Sequence, residues 1–296
     1  MVMCLAGCAV QTSALQSGAP ADLPRRAELA ATPFYPQTAY QCGPAALATA
    51  LGAVGLSASP VELGEQVFLP ARSGSLQTEM LAGARRHGAV ATQIPGTLEA
   101  VLREVAAGHV VVLLQNLGLS FVPVWHYAVL VGYDVDSGEV LLRSGTTRRE
   151  RLRMRTLEHT WARSGFWAFV ALPPGQWPVT AQPAAVVEAA VGFERSAIPA
   201  QAVRVYDSAL QRWPGNLTLA IGLGNSAYAA GDKRRAAEVF RVAAEQHGSG
   251  AAWVNLAQVL MELGEREAAL AAARNAVDDP RWGARARELA QPTSLP

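Results

Sequence analysis

The chain has 296 residues, half of them hydrophobic, which is enough to bury the cores of roughly two domains. The formal net charge is +1 and the pI is near 7.8, so the sequence has no basic surplus of the kind that binds nucleic acid. Beyond the N-terminus, no stretch has the roughly 20 apolar residues that a membrane-spanning helix needs.

The N-terminus resembles a bacterial lipoprotein signal. The sequence Leu-Ala-Gly-Cys, ending at Cys8, resembles the lipobox, whose cysteine receives diacylglycerol after cleavage. The apolar stretch is short and no Lys or Arg precedes it, so the true start codon is expected upstream of Met1. By this resemblance, Ala9 in place of Asp implies an outer-membrane protein of the bacterial cell envelope that faces the periplasm and is held by its lipid alone. We predict a signal peptide at 1–8 and a flexible linker at 9–32.

The sequence contains three cysteines, and two of them lie in this N-terminal segment. With Cys4 removed and Cys8 acylated, Cys42 is left as a single free thiol in an oxidising compartment, which excludes a disulfide within the mature chain. A free cysteine is most often a small buried hydrophobic residue. The residues that follow Cys42 favour a nucleophile instead.

A helix is predicted to begin at Cys42. Pro44 suits the first turn of a helix, where its missing N–H costs nothing, and good helix formers follow it. Unpaired amides and the helix dipole favour a thiolate at this end, so we expect the Cys42 pKa to lie below its ordinary value of about 8.5. Gly43 lets a substrate or another backbone approach closely. A nucleophilic cysteine needs these conditions.

The segment after this helix is predicted to form an α+β domain, because apolar spacings of helical and strand type alternate along it. In chain order the predicted elements are helices at 61–68 and 76–88, a strand at 90–94, a helix at 97–108, strands at 110–115, 126–133, 139–144 and 149–154, a helix at 156–165 and a strand at 166–172. Two prolines and a glycine then end the domain, and residues 174–182 are a predicted linker.

Five histidines compete for the role of base to the free thiol. Four of them occur at predicted helix ends or in surface-like contexts: His87, His109, His159 and His247. His126 instead begins an apolar strand, HYAVLVGYD, where its ring would be held rigidly at the end of a sheet. A histidine buried for structural reasons is the alternative. The presence of a candidate nucleophile favours the base.

Three pieces of sequence resemble the papain-fold domain of the bacteriocin-processing, double-glycine-leader peptidases and of stand-alone proteins similar to them. They are Gln37, the Cys-Gly-Pro-Ala-Ala-Leu run that starts at Cys42, and the strand that starts at His126. The resemblance covers roughly residues 33–173 and implies a papain-like cysteine peptidase domain, with N-terminal helices and an antiparallel sheet. It also implies that Cys42 is the nucleophile, His126 the general base and Gln37 the side-chain donor of the oxyanion hole.

The third member of the catalytic set departs from the family's pattern. The resemblance places an Asp, followed by Pro, at the end of the strand after the histidine, and this position is occupied by Ser144. A serine hydroxyl can orient the imidazole but cannot stabilise its charged form as a carboxylate does. Asp134 and Asp136 lie in a turn where Asp serves the backbone. Glu150 and Asn116 are the other polar candidates.

From residue 183 onward, alanine-rich amphipathic helices repeat. Ala236, Phe240 and Ala243 reproduce, thirty-four residues later, the spacing of an earlier Ala, Tyr and Ala. The spacing resembles tetratricopeptide repeats, in which small residues let two helices approach closely. We predict an all-α repeat domain at 183–296 with units at 183–216, 217–249 and 250–283 and a terminal capping helix. An irregular helical bundle is the alternative, and a repeat array would bind a protein partner on its concave face.

Two functions of different classes follow. In the first, the protein is a lipid-anchored cysteine peptidase that cleaves a peptide or protein substrate, after small residues such as Gly, with the repeats recruiting a substrate or partner. In the second, the papain-like domain is catalytically silent and the protein is a periplasmic interaction scaffold. Acyl transfer to a nucleophile other than water would use the same residues as the first function.

Cofactor and metal chemistry have no support in the sequence, because one cysteine and scattered histidines offer no ligand spacing. No nucleotide-binding motif of the form GxxxxGK[ST] occurs, so the chain is not expected to act as an exporter by itself.

Overall fold

The structure, a computed structural model, describes residues 9–37 and 41–291. Contacts between residues divide the chain into two compact units, one that ends at Phe193 and one that begins at Glu194. The division therefore lies later in the chain than the predicted linker at 174–182. Within the described residues, no helix is both long enough and apolar enough to cross a membrane.

The first unit is built on one antiparallel sheet, with seven strands among the described residues. The strands are β1 (Arg26–Glu28), β2 (Val90–Gln93), β3 (Val111–Asn116), β4 (Trp125–Asp134), β5 (Glu139–Ser144), β6 (Thr147–Arg153) and β7 (Ala168–Leu172). Their order is β2-β7-β3-β4-β5-β6, and β1 pairs with β4 outside this path. The long strand β4 is thus central to the sheet.

Helices cover both faces of the sheet. They are α1 (Val10–Gly18), α2 (Cys42–Ala53), α3 (Pro60–Val67), α4 (Gln77–Arg86), α5 (Leu98–Ala106) and α6 (Met154–Ala162), and α7 (Pro183–Glu194) closes the unit. The helices α2, α3 and α4 share one hydrophobic cluster with the sheet, and α1, α5 and α6 share another. The predicted α+β class, with an antiparallel sheet and helices, is confirmed.

The side chains of strand β4 point alternately into the two hydrophobic clusters. Tyr127, Val129 and Val131 pack with α2, whereas Ala128 and Leu130 pack with α5 and α6. Successive side chains of a strand point to opposite faces, so a strand covered on both sides reads as a continuous apolar run. This is why the sequence after His126 is apolar at every position as far as Val131.

The flexible linker predicted at 9–32 is wrong, because this segment contains α1 and β1. Leu15 and Leu23 are buried in the second hydrophobic cluster. The buried carboxylate of Glu158 accepts hydrogen bonds from the N–H groups of Gln11 (3.0 Å) and Thr12 (2.8 Å) and from the Thr12 hydroxyl (2.7 Å). Glu158 therefore caps α1 from α6, as a carboxylate can at a helix N-terminus. The segment consists mainly of small and polar residues, which do not predict this ordered structure.

The predicted linker at 174–182 is also held to the first unit. The side chain of Glu104 on α5 is fully buried and accepts hydrogen bonds from the Thr180 N–H (2.7 Å), the Thr180 hydroxyl (2.6 Å) and the Val179 N–H (3.2 Å). The ring Nδ1 of His109 lies 2.7 Å from the same carboxylate. Burial raises the pKa of Glu104, but these hydrogen bonds outweigh it and the net direction is downward.

The second unit is all-helical. Its helices are α8 (Pro199–Arg212), α9 (Leu217–Ala229), α10 (Lys233–His247), α11 (Gly250–Glu262), α12 (Arg266–Arg274) and α13 (Gly283–Ala290), and each packs against the next. Gly222 lies against the ring of Tyr206 and Gly224 against the ring of Phe240, with no room for a Cβ at either glycine. Small residues facing large ones are therefore present, as the repeat pattern predicts. The all-α class is compatible with tetratricopeptide repeats, and that assignment stays a prediction.

Replacing Glu104 by Gln is expected to lower the free energy of unfolding by about 1–3 kcal/mol at pH 7, since buried N–H groups lose a charged acceptor. A carboxyl whose folded pKa lies below its unfolded value of about 4.3 contributes stability above that value and loses it as the pH falls through the folded pKa. The difference between the two proteins should therefore shrink below about pH 4.

Urea unfolding followed by tryptophan fluorescence at pH 7 and in acid measures this difference. The exposed Glu65 on α3 provides the control, and Glu65→Gln should change little at either pH. A Glu104→Gln deficit that stays equal at both pH values would contradict the assignment of a charged carboxylate at this position.

Candidate active site

A cavity of about 1130 Å³ lies where the predicted catalytic residues meet. Residues 72–77, 123–127 and 163–164 form most of its lining, and Gln37, Cys42, Leu114 and Gly145 complete it. The volume is slightly above the range of roughly 300–1,000 Å³ that is typical of small-molecule pockets. A segment of several peptide residues therefore fits this space better than a single small ligand.

Cys42 enters the cavity as the first residue of α2. Burial raises the pKa of its thiol, and backbone N–H groups of Tyr127 and Gly43 act in the opposite direction without reversing it. The prediction that the helix end lowers this pKa is therefore wrong for the free protein. Dipole effects at a helix end are worth about 0.3–1 kcal/mol, whereas desolvation of a buried group shifts a pKa by up to several units.

Gly43 is explained by Ser75, which lies directly beside it. A Cβ at Gly43 would overlap the Ser75 side chain and stand 3.2 Å from the Met80 sulfur. The backbone of α2 is therefore able to lie against the segment at 72–77 only because residue 43 has no side chain. The Ser75 hydroxyl oxygen is buried and has no hydrogen-bond partner among the described residues.

His126 is the second residue of β4, and its Nε2 lies 2.9 Å from the Ser144 hydroxyl. Ser144 is the last residue of the neighbouring strand β5, so strand pairing brings the two together. Since Nε2 is engaged, Nδ1 is the ring atom left for the cavity. Burial lowers the pKa of His126, and the charge of Glu150 raises it only in part, so the imidazole is neutral at pH 7.

The cavity surrounds the end of β4. Three consecutive residues, Trp125, His126 and Tyr127, all line it although neighbouring side chains of a strand point to opposite faces. Within the described residues, no hydrogen bond joins the Cys42 thiol to the His126 imidazole. The two groups thus meet at one cavity as a neutral thiol and a neutral base. Catalytic hydrogen bonds are often long or misaligned in a free enzyme and tighten when a substrate binds.

Gln37 lies in the same lining, where its backbone N–H donates to the Gly145 carbonyl (3.0 Å). This bond joins the segment before α2 to the loop after β5. Ser144 is the last residue of β5 and directly precedes this loop. Gln41, the other glutamine before the nucleophile, is the N-cap residue of α2 and is not part of the cavity lining. The placement agrees with the preference for Gln37, whose role as an oxyanion donor stays a prediction.

The other polar candidates for the third catalytic residue lie outside the cavity lining. Asp134 accepts hydrogen bonds from two backbone N–H groups of its own turn, and Asp136 pairs with Arg25. The Asn116 side chain accepts from the N–H groups of Gly118 (3.0 Å) and Val124 (2.9 Å), so it shapes the loop between β3 and β4. Glu150 on β6 acts on His126 only through its charge.

Sequence reasoning missed the other polar residues of the cavity. Ser75 and Arg72 lie between two helices in a stretch without periodicity, and Arg163 follows α6 in a segment predicted as helix. None of them lies near a recognisable motif, so no sequence signal pointed to them. The apolar loop before His126 was visible as LGLSFVPVW, and it leaves Phe121 and Trp125 exposed, with Trp125 in the lining of the cavity.

Three further residues singled out in the sequence lie away from the cavity or outside the described residues. Cys8, the predicted lipidation site, lies outside the described residues. The surface context predicted for His109 is wrong, because its ring contacts the buried Glu104 and its side chain is only 18% exposed. The exposed position predicted for His247 is confirmed.

Comparison with known proteins shows what part of the first unit is similar to. Residues 29–169 match a family described as the Peptidase_C39 like family. A crystal structure from Bacillus anthracis, described as a C39-like peptidase, has 17% sequence identity and a TM-score of 0.43, and the alignment covers 50% of this chain and 98% of that chain. No curated protein matches the sequence. The matched region contains Gln37, Cys42, His126 and Ser144, and it is similar to the Peptidase_C39 like family.

The pKa directions of Cys42 and His126 predict the pH profile of thiol alkylation. With Cys4 and Cys8 replaced by Ser, the iodoacetamide rate at Cys42 should rise with a midpoint above about 8.5, the value of an ordinary thiol. The His126→Ala variant should keep the same midpoint, because the resting pair is neutral. A reactivity plateau below pH 7 that disappears in His126→Ala would instead show a preformed thiolate and imidazolium.

Proposed function

We propose that the first unit is a cysteine peptidase in which Cys42 attacks a peptide carbonyl and His126 transfers protons. One observation carries the proposal: the cysteine at the start of a buried helix and a histidine oriented by a second side chain line the same peptide-sized cavity. The similarity of residues 29–169 to C39-like peptidases supports it. By the same resemblance, the scissile bond follows small residues such as Gly.

The chemistry begins from a neutral pair. As the Cys42 sulfur bonds to the carbonyl carbon, its proton passes to Nδ1 of His126, and the Ser144 hydroxyl holds the ring by Nε2. The carbonyl oxygen becomes an oxyanion that the Cys42 N–H and the Gln37 side chain stabilise. The tetrahedral species collapses, the C–N bond breaks, and His126 returns the proton to the leaving amine. Water then hydrolyses the thioester, with His126 acting again as the base.

A neutral resting thiol also suits an oxidising compartment. Peroxide and disulfides react with the thiolate rather than the thiol. Because burial raises the Cys42 pKa, the fraction of thiolate in the free protein is small. Proton transfer to His126 during the attack supplies the nucleophile only when a substrate occupies the cavity. Transfer of the acyl group to an amine in place of water would use the same residues.

The second unit is proposed to be a tetratricopeptide-repeat domain that binds a peptide or protein partner. The packing of each helix against the next and the close contacts of Gly222 and Gly224 with aromatic rings support this assignment. Arrays of this kind bind extended partners on their concave surface. The partner would bring a substrate to the peptidase or fix the protein at a site in the cell envelope.

Cys8 is proposed to carry the lipid that anchors the protein to the outer membrane. The α1 helix begins two residues later and is fixed to α6 through Glu158, with Ala9 already buried. A lipid on Cys8 would therefore be attached almost directly to the folded unit. The peptidase would work close to the bilayer surface, without a long tether.

Loss of the nucleophile or the base should abolish peptide cleavage. Cys42→Ala and His126→Ala are expected to leave no detectable hydrolysis of peptides with a Gly-Gly site. Ser144→Ala should lower kcat by roughly tenfold with little change in KM, because it removes an orienting contact and no substrate contact. The exposed Ser137 in the turn before β5 is the control, and Ser137→Ala should be silent. Full activity in Cys42→Ala would exclude the proposal.

Membrane fractionation tests the anchor. The chain, expressed in a Gram-negative bacterium with an N-terminal extension that completes the signal peptide before Cys8, should sediment with the outer membrane, and Cys8→Ser should move it to the soluble fraction. Cys4→Ser is the matched control, because Cys4 would leave with the signal peptide, and its distribution should not change. A Cys8→Ser protein that stays in the membrane fraction would contradict lipidation at this residue.

A further inference from the structure

The charged groups of the cavity all have one sign. Among the described residues that line it, Arg72 and Arg163 are charged and there is no Asp or Glu. The chain as a whole has a formal net charge of only +1. Because burial keeps Cys42 protonated and His126 neutral, these two residues add no charge. The lining therefore contributes two positive charges at neutral pH, and Glu150 on β6, which acts on His126 through its charge, is not part of the lining.

Neither arginine is neutralised by a neighbour. Within the described residues, Arg25, Arg103 and Arg149 each form an ion pair with a carboxylate of the sheet unit. Arg72 and Arg163 form none with any described residue. A cleft lined by one sign of charge focuses its field and raises the local concentration of ligands of opposite charge.

Arg163 is fixed in place. Its Nη1 donates hydrogen bonds to the carbonyl oxygens of Asn116 (3.1 Å) and Gly118 (2.8 Å). The guanidinium is thereby attached to the loop that begins the rim of the cavity, and its other N–H groups have no hydrogen-bond partner among the described residues. Five donors in a planar fork suit a carboxylate, which can accept two of them side by side. Arg72 adds a second cation from the segment at 70–77.

We infer that the cavity selects peptides that carry a carboxylate close to the scissile bond, with Arg163 and Arg72 as the specificity-determining residues. The position of the carboxylate relative to the scissile bond rests on the proposed peptidase function. The preference for a carboxylate is a property of binding and does not require cleavage. The carboxylate comes from an acidic side chain or from the C-terminus of a short peptide. Both present the same group, and the choice between them is experimental.

Binding is measured with the full chain carrying Cys4→Ser, Cys8→Ser and Cys42→Ala, so that no probe is cleaved. Three fluorescein-labelled peptides with a central Gly-Gly are compared by anisotropy. One has Glu two residues after Gly-Gly and an amidated end, the second has Gln there and a free carboxylate at its end, and the third has Gln and an amidated end. The first or the second peptide should bind roughly three- to tenfold more tightly than the third at low salt, and the better of the two identifies the source. The preference should fall in about 0.5 M salt.

Variants assign the preference to the two arginines. The pair Arg72→Gln and Arg163→Gln should remove it, whereas Arg163→Lys, which keeps the charge but loses the planar fork, should keep only part of it. The control is Arg155→Gln, an exposed arginine at the other end of α6 and outside the cavity, and it should leave the preference unchanged. Equal binding of all three peptides, no detectable binding of any, or a preference that survives in the double variant would overturn the inference.

Cleavage assays separate this inference from the proposed function. With Cys42 restored, the ratio of kcat/KM between the carboxylate and the neutral peptides should follow the binding ratio. Cleavage of all three peptides at equal rates would leave the peptidase in place and overturn the charge selection. Preferential binding of a carboxylate peptide without any cleavage would uphold the selection and remove the peptidase.

Discussion

The packing of α2 against β4 is the contact on which the site depends. Leu47 and Leu51 of α2 share one hydrophobic cluster with Val129 and Val131 of β4. Each fully buried side chain of this kind contributes about 1.5–3 kcal/mol. The contact fixes the start of the helix beside the start of the strand, and thus brings Cys42 to the cavity that His126 lines. Without it the two residues, far apart in sequence, would have no common surface.

Burial of the Cys42 thiol and the His126 imidazole determines the charge state of the site. A thiol and an imidazole that are both removed from water each favour the neutral form, so the protein rests without an ion pair. Ser144 agrees with this state, because a hydroxyl orients a neutral ring well and stabilises a charged one poorly. An Asp at this position would favour the imidazolium and, through it, the thiolate. A carboxylate and a serine at this position therefore correspond to two different resting states of one pair of residues.

Much of the first unit follows from its sequence. The apolar run after His126 predicted a strand buried on both faces, and the Pro44 segment predicted the helix that begins at Cys42. The pKa of Cys42 was predicted in the wrong direction, because local sequence shows the helix end but not the strand that buries it. The order of residues 9–32 was missed for a related reason. Its stability comes from Glu158, more than a hundred residues away, and a polar segment gives no sign of a distant partner.

The capping of α1 by Glu158 has a consequence for making the protein in the laboratory. A recombinant chain trimmed to begin near residue 20, as the small and polar composition of this segment invites, would lose all three donors that the Glu158 carboxylate accepts from. The buried carboxylate would lose these partners, and the hydrophobic cluster that contains Met154 and Trp161 would lose Leu15. Such a chain would fold less stably and aggregate more readily than one that begins at Ala9. The segment from Ala9 to Leu23 is therefore part of the folded first unit.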